Sequence, residues 1–307
     1  MKQHRVKRTR YFLLCVRQRC IHYVGDKMTG TDDKSRDSAS FQGEHGAYSE
    51  QAAQAYFGES VRTEPCHTIK EVFAVVEKGS SLFGVIPAEN SLEGSVNQTY
   101  DLLLESYLKI YAEIKIRVTH CLLALPGTKL ADVRAVYSHP QALAQCSAFL
   151  ESLHVIGEPT YDTAGSARLL KEKDLHDAAA IASKKAAALY GLEILQERIE
   201  DFPENFTRFL VIAKKEAEKT GRDKTSIVFA TKHTPGSLQR ALSELSTRGI
   251  NLTKIESRPI RAIPWEYHFF VDFEGHRTNR ECVDALEALG KATASLKILG
   301  SYPRATS

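Results

Sequence analysis

The chain has 307 residues, of which 43% are hydrophobic and 26% are charged. At roughly 100–200 residues per domain, this length predicts two or three globular units. A chain of this size can bury a core without disulfides or metals to hold it, and its apolar fraction excludes a wholly disordered protein. No apolar run reaches the roughly 18 residues of a membrane helix, so no membrane association is predicted.

The net charge of +3 is the sum of a basic N-terminal segment and an acidic remainder. Residues 1–27 carry eight Lys/Arg and one acid, which leaves 33 basic and 37 acidic residues in the remainder. The body of the protein is therefore mildly acidic, with a net charge of −4. Nucleic-acid binding requires a basic face, so no nucleic-acid partner is predicted.

Six cysteines are spread singly along the chain and show no metal-site spacing; they are Cys15, Cys20, Cys66, Cys121, Cys146 and Cys282. This pattern predicts reduced thiols in a cytoplasmic protein and no metal site.

Residues 1–38 are predicted to form a basic arm outside the fold. An Arg-rich, acid-poor start is also typical of an organelle transit peptide, which leaves organelle targeting as the alternative location. Met28 could equally be the true start, which would make residues 1–27 no part of the protein.

Between residues 39 and 213 short apolar strands alternate with amphipathic helices. Strands are predicted at 82–86, 110–125, 133–137, 178–182 and 209–213, and helices at 47–57, 95–107, 140–153, 163–171 and 183–190. Gly58 is expected to end the first helix and Pro140 to open the third. This alternation predicts an α/β sheet with parallel strands.

A charged, turn-forming linker is predicted at 214–223, and the pattern then changes. Strands are predicted at 225–231, 251–260, 267–273 and 296–299, and helices at 237–248 and 281–292. The resulting βαββαβ order over residues 224–303 predicts a ferredoxin-like domain.

Several segments, taken in order, resemble those of prephenate dehydratases. They are 41–50 (FQGEHGAYSE), 86–95 (IPAENSLEGS), 138–142 (SHPQA), 161–167 (YDTAGSA) and 205–209 (NFTRF). In the C-terminal part, 256–259 (ESRP) resembles the signature of the attached ACT regulatory domain. The close relative arogenate dehydratase shares these motifs.

The resemblance implies a two-lobed, periplasmic-binding-protein-like catalytic domain over 39–213, followed by an ACT domain. Lobe one is expected to comprise 39–115 and 191–213, and lobe two 116–190. The implied reaction removes CO2 and water from prephenate to give phenylpyruvate for L-phenylalanine biosynthesis. Because aromatisation drives it, no cofactor and no metal are expected.

Thr207 is the catalytic residue that the resemblance implies, acting as a positioned donor to the departing hydroxyl. The expected substrate-binding residues are Asn90, Ser91, Ser95, Thr163, Gly165, Ser166, Arg208 and Phe209. Helix N-termini after residue 95 and at Thr163 would bind the two carboxylates, although Ser91, Ser95 and Thr163 could instead be simple helix caps. Adjacent side chains of a strand face opposite ways, so Thr207 and Arg208 need not both face the ligand.

The ACT domain implies an L-phenylalanine effector and a homo-oligomer, dimer or tetramer, formed through these domains. The expected effector-binding residues are Pro235, Gly236, Ser237, Leu238, Asn251, Leu252, Glu256, Ser257, Arg258 and Pro259. Two other functions remain open at this point, namely an arogenate dehydratase and a non-catalytic amino-acid sensor.

Overall fold

The computed structural model describes residues 38–232, 234–260, 263 and 265–305. The predicted arm, residues 1–38, lies outside these ranges except for Ser38, which begins the first strand. Within the described ranges, none of the helices combines the length and the apolar character that crossing a membrane requires.

Strands and helices alternate through residues 38–213, which confirms the predicted α/β class. They are β1 (Ser38–Gln42), α1 (Tyr48–Phe57), β2 (Arg62–Cys66), α2 (Ile69–Lys78), β3 (Phe83–Asn90), β4 (Gly94–Ser95), α3 (Asn97–Glu105), β5 (Lys109–Arg117), β6 (Cys121–Ala124), β7 (Ala135–Ser138), α4 (Pro140–Gln145), α5 (Ser147–Leu153), β8 (Ile156–Pro159), α6 (Thr163–Lys173), β9 (Ala178–Ala182), α7 (Lys184–Tyr190), β10 (Glu193–Glu197) and β11 (Phe206–Ala213). Gly58 caps the end of α1 and Pro140 opens α4, as the sequence predicts.

These elements build two sheets, one in each lobe. The first has the order β2-β1-β3-β11-β5, with β4 paired to β3, and the second has the order β10-β6-β9-β7-β8. β1 runs parallel to β2 and β3, whereas β11 returns antiparallel between β3 and β5. The chain passes between the sheets twice, at residues 118–120 and 198–205.

Strand pairing corrects the predicted boundary of lobe one at residue 191. β10 pairs antiparallel with β6, so it completes the second sheet, and the chain re-enters lobe one only at β11. Residues 116 and 117 belong to β5, which extends lobe one at its other boundary. The apolar pattern of a segment identifies it as a strand but does not show which strand it pairs with. Pairing depends on unpaired backbone N–H and C=O groups in other parts of the chain.

Other elements also differ from the sequence-based prediction, which does not include the strands β1, β2, β4, β8 and β10. The predicted strand 110–125 is two strands in different sheets, and the predicted helix 140–153 breaks at Cys146 into α4 and α5. α2 is not among the predicted elements, although Thr68 caps its start and Gly79 ends it in the left-handed conformation. Both are recognised helix boundary signals.

The C-terminal domain has the predicted βαββαβ order. Its elements are β12 (Asp223–Ala230), α8 (Ser237–Ser246), β13 (Leu252–Pro259), β14 (Tyr267–Glu274), α9 (Arg280–Ala292) and β15 (Ser295–Pro303). The sheet order is β13-β14-β12-β15, with antiparallel pairing throughout. Residues 214–222 connect it to β11, one residue short of the predicted linker.

Apolar packing joins this domain to lobe one. One buried cluster contains Leu103 and Leu210 from lobe one together with Val228, Phe270 and Tyr302 from the C-terminal sheet. A continuous core of this kind fixes the C-terminal sheet against the first lobe, since burying apolar side chains is the main favourable term in folding.

Gly300 marks a close approach between the backbones of the two domains. A Cβ at this position would lie 2.2 Å from the carbonyl oxygen of Ile110 on β5. Gly300→Ala is therefore expected to lower the free energy of unfolding by about 1–3 kcal/mol or more, because a backbone atom cannot rotate away as a side chain can. Chemical denaturation of the full chain measures this change.

Gly290→Ala is the matched control in the same domain. Its Cβ would meet only the Leu296 side chain, at 3.8 Å, and the position lies inside α9. Alanine is preferred to glycine by about 1 kcal/mol in a helix, so this variant is expected to be at least as stable as the wild type. A stable Gly300→Ala protein would contradict the close packing of β15 on β5.

Candidate active site

A crevice of about 420 Å³ opens between the two lobes. Lobe one contributes Gln42, Tyr48, Asn90 and Thr207, and lobe two contributes His139, Gln145 and Thr163. These residues include members of all five motifs found in residues 39–213, so the fold gathers distant parts of the sequence at one place.

Thr207 is held by the side-chain amide of Asn90. The Nδ2 atom of Asn90 donates to Thr207 Oγ1 at 3.0 Å and to Asn205 Oδ1 at 2.7 Å. The Oδ1 atom of Asn90 accepts the backbone N–H groups of Leu92 and Glu93 at 3.0 and 3.1 Å, which fixes which end of the amide is the donor. Because the amide supplies the hydrogen to Oγ1, Thr207 keeps its own hydroxyl hydrogen for another partner.

A chain of buried polar groups continues from this pair across the lobes. Asn205 Nδ2 donates to Gln145 Oε1 at 2.9 Å, and His120 Nε2 lies 3.0 Å from the same oxygen. Asn205, Gln145 and His120 are all buried. Buried polar groups must be satisfied within the protein, so this network fixes the relation between the two lobes at the back of the crevice.

Three histidines, His67, His120 and His139, line the crevice, and burial keeps His120 and His139 neutral. Burial lowers the pKa of His120 below its ordinary value of 6.5, against the opposing effects of Gln145 and Glu200. Burial also lowers the pKa of His139, against the opposing charge of Asp162. Both imidazoles are therefore uncharged at neutral pH, and His139 Nδ1 accepts the Gln141 N–H at the start of α4.

The predicted serines of the 90–96 loop have other partners. Ser91 Oγ donates to the Glu204 carbonyl at 3.0 Å and accepts the Phe206 N–H at 2.9 Å, so it ties the loop to the returning chain and does not line the crevice. Ser95 lines the crevice, but its hydroxyl donates to Glu256 of the C-terminal domain at 2.9 Å.

The start of α6 carries its own carboxylate. Asp162 caps this helix and accepts the Gly165 N–H at 2.8 Å, which places a negative group where the sequence predicts a substrate carboxylate. Thr163 lines the crevice, whereas Gly165 and Ser166 do not. Ser166 is fully buried and bonds to Thr160, and Gly165 leaves room for the Tyr161 ring, which would lie 2.8 Å from a Cβ.

Arg208 does not reach the crevice. Its side chain leaves the opposite face of β11 from Thr207 and contacts Glu113 at 2.7 Å, Asp272 at 2.7 Å and the Tyr302 hydroxyl at 3.0 Å. The alternation of a strand explains this placement, because successive side chains point to opposite faces. Phe209 does line the crevice.

The lining of the crevice is poor in cationic groups. Among the described residues that line it there is no lysine or arginine, whereas Glu93 and Asp162 are present. The described residues also contain no group of three or more His, Cys, Asp and Glu side chains placed to hold a metal ion. The available donors are therefore hydroxyl, amide and imidazole groups and the backbone N–H groups near the start of α3.

The predicted effector residues lie in several different places. Pro235, Gly236, Ser237 and Leu238 line a separate cavity of about 450 Å³ with Trp265 and Tyr267, and Leu252 lines a neighbouring groove. Glu256 and Arg258 instead face lobe one, whereas Asn251, Ser257 and Pro259 are exposed. Within a single chain, the ten predicted effector-binding residues therefore do not form one pocket.

Tyr161 and Glu44 form a contact between the lobes that the sequence-based prediction misses. The Tyr161 hydroxyl donates to Glu44 at 2.5 Å, and Arg168 lies 3.3 Å from the same carboxylate. Burial, together with Glu44, raises the pKa of Tyr161. The sequence-based prediction also misses Gln145, Asn205 and His120. Asn205 is a polar residue within the 205–209 motif and Gln145 follows the 138–142 motif closely, so these two positions could have been found from the sequence.

Two family models match this chain. Residues 39–217 match the model described as prephenate dehydratase, and residues 225–291 match the ACT domain model. A bifunctional chorismate mutase/prephenate dehydratase from Aquifex aeolicus is 46% identical over 269 residues, covering 86% of this chain and 73% of the relative. Arogenate dehydratase/prephenate dehydratase 2 from Arabidopsis thaliana, described as chloroplastic, is 44% identical over 280 residues, covering 88% and 73%.

A solved structure shares the whole architecture. Prephenate dehydratase from Arthrobacter aurescens, solved in complex with L-Phe, has a TM-score of 0.80 and 33% sequence identity, and the match covers 87% of this chain and 90% of that one. The order of motifs along the sequence agrees with the matches to both family models, with the sequence identities and with the shared fold. This chain therefore belongs to the prephenate dehydratase family and carries an ACT domain in its C-terminal part.

Proposed function

We propose that this protein is a prephenate dehydratase that converts prephenate to phenylpyruvate, CO2 and water, with Thr207 as the catalytic residue. The observation that carries the proposal is the contact between Asn90 Nδ2 and Thr207 Oγ1 at 3.0 Å at the wall of the crevice. This contact leaves the threonine as a donor toward the space where a ligand would lie.

The reaction breaks two bonds of the substrate ring. The bond from C1 to the ring carboxylate breaks and releases CO2, and its electron pair enters the ring. The bond from C4 to the hydroxyl oxygen breaks at the other end, and this oxygen takes up one proton to leave as water. A threonine is a weak acid, so Thr207 acts by holding a hydrogen bond to the departing oxygen while solvent supplies the proton. Donors aimed at developing charge commonly contribute 10²–10³-fold.

Neutral donors are proposed to hold the two carboxylates. Ser95, Val96 and Gln98 at the start of α3 line the crevice, and no side chain caps this helix. Its first N–H groups suit one carboxylate. Thr163 and His139 lie on the facing lobe and suit the other. The start of α6 is not available to a carboxylate in the same way, because Asp162 already accepts the Gly165 N–H there.

The ACT domain is proposed to bind L-phenylalanine and to lower activity in response. Support comes from the match to the ACT model and from the relative solved with L-Phe. We also propose a homo-oligomer formed through these domains, since Ile255, Trp265 and Tyr267 leave apolar surface exposed there. A cytoplasmic location is proposed from the described cysteines, which are free and buried.

Arogenate is the second candidate substrate, and one observation favours it. Arogenate carries an ammonium group where prephenate carries a ketone, and the described crevice lining has two carboxylates and no lysine or arginine. The Arabidopsis thaliana relative, which bears both activities in its name, is similar along 88% of this chain.

Steady-state kinetics with both substrates test the proposal. Purified full-length protein is expected to convert prephenate with a larger kcat/KM than arogenate, and saturating L-phenylalanine is expected to lower the rate. A larger kcat/KM for arogenate would show that the protein is an arogenate dehydratase rather than a prephenate dehydratase. No turnover of either substrate, together with clean binding of L-phenylalanine, would support a non-catalytic sensor instead.

A further inference from the structure

The strand β13 of the ACT domain reaches the loop that lines the crevice. Ser95 lies on β4, where it pairs with Glu89 of β3, and it lines the crevice. Its hydroxyl donates to Glu256 Oε2 at 2.9 Å and accepts from Lys254 Nζ at 2.8 Å. Lys254 also lies 3.1 Å from Glu89, so one lysine contacts both members of the β3–β4 pair.

These contacts come from one face of the strand. Lys254, Glu256 and Arg258 are alternate residues of β13 and point toward lobe one, where Arg258 lies 3.2 Å from Asp101 on α3. Their neighbours in sequence, Ile255 and Ser257, are exposed on the other face. The period of two is that of a strand, so the whole inward face of this segment contacts the elements around the crevice loop.

The environment makes these contacts strong. The side chain of Lys254 is only 10% exposed, and its ammonium lies 5.3 Å from the centre of the Tyr100 ring on α3. Tyr100 is itself buried. Charge-assisted hydrogen bonds in a partly desolvated site are about twice as strong as neutral ones, so Lys254 and Glu256 restrict where the Ser95 hydroxyl and its backbone can lie.

We propose that Lys254 and Glu256 are positioning residues for the substrate crevice, which act through Ser95 to hold the 94–96 loop and the start of α3 in place. Their role is thus different from direct contact with the effector, which the ESRP motif predicts for Glu256. A shift of β13 would move the 94–96 loop directly. The same contacts would therefore let a movement of the ACT domain change how the crevice binds substrate.

Hydrogen exchange tests the positioning role without catalysis. In the full-length protein, Lys254→Met and Glu256→Gln are expected to raise the exchange rate of amides in residues 92–98 by about tenfold, because a contact that limits local opening is lost. Glu287→Gln, an exposed carboxylate on α9, is the matched control and should exchange like the wild type. Unchanged exchange in both variants would overturn the proposal.

Kinetics without effector give the second test, which rests on the proposed function. Each variant is expected to raise KM for prephenate about tenfold with kcat within about twofold, since ground-state binding is what the loop provides. In a Ser95→Ala background, Lys254→Met should raise KM by a smaller factor than in the wild type, because part of its effect acts through the Ser95 hydroxyl. Full additivity, or wild-type KM with loss of L-phenylalanine binding, would contradict the proposal. An inactive wild type with faster exchange in the variants would count against the proposed reaction alone.

Discussion

Thr207→Ala is expected to lower kcat for prephenate by about 10²–10³-fold, with KM within about twofold of the wild type. The variant removes the hydroxyl that faces the crevice and leaves its surroundings in place. Asn90 Nδ2 keeps Asn205 Oδ1 as a partner at 2.7 Å, and Asn90 Oδ1 keeps its two backbone donors, so the loop should hold its shape. Formation of phenylpyruvate, followed by its absorbance, measures the change.

Thr207→Ser is the matched control for this prediction. Serine restores the hydroxyl in reach of the Asn90 amide and removes only a methyl group. We expect this variant to keep kcat within about tenfold of the wild type, since the donor is retained. A Thr207→Ala protein with near wild-type kcat would show that the departing hydroxyl is stabilised by another group, and the proposed catalytic role would fail.

Arg208→Met is expected to destabilise the protein by about 3–5 kcal/mol, the largest effect on stability that the structure predicts. Arg208 is the shared partner of Glu113 and Asp272, at 2.7 Å from each, and the side chains of both acids are less than 10% exposed. Lys224 remains beside Glu113 at 2.9 Å in the variant, but Asp272 loses its ion-pair partner. Denaturant unfolding of the full chain measures the loss.

Arg62→Met is the control for the loss of an arginine. Arg62 is 69% exposed and contacts Glu64 at the surface, where an ion pair contributes about 0–1 kcal/mol. If Arg208→Met proved no more destabilising than Arg62→Met, the buried network would have no structural role.

The same network predicts how stability depends on pH. Burial alone would raise the pKa of Glu113, but Arg208 and Lys224 outweigh it and hold this pKa below its ordinary value of 4.5. A lowered pKa in the folded state stabilises the protein above the unfolded value, and this stability is lost as the pH falls through the folded pKa. Arg208→Met should therefore shift acid unfolding to higher pH. An unchanged acid transition would contradict this assignment.

Much of the site could be predicted from the sequence because its parts are local. The motif segments carry Asn90, Ser95, Thr163, Thr207 and Phe209 into the lining of the crevice. Turn residues and strand alternation fix how each segment presents its side chains, and these depend on near neighbours in the chain. The βαββαβ order of the ACT domain follows from periodicity in the same way.

Other predicted residues are placed elsewhere for reasons that no local pattern contains. Arg208 turns toward Asp272 because the ACT sheet lies against lobe one, and Ser91 turns toward Phe206 because β11 returns beside the 90–96 loop. β10 joins the second sheet because the edge of β6 is open to it. Each outcome depends on a partner far away in the sequence.

The amino-acid sequence by itself determined the family, the fold class and the threonine at the centre of the proposed chemistry, because these depend on ordered motifs and on short-range periodicity. Only the tertiary structure decided which hydroxyls face the crevice, which carboxylate occupies the start of α6 and how β13 reaches Ser95. The physical reason is that hydrogen bonds and ion pairs act over a few ångströms, so a residue's partners are set by chain packing rather than by its position in the sequence.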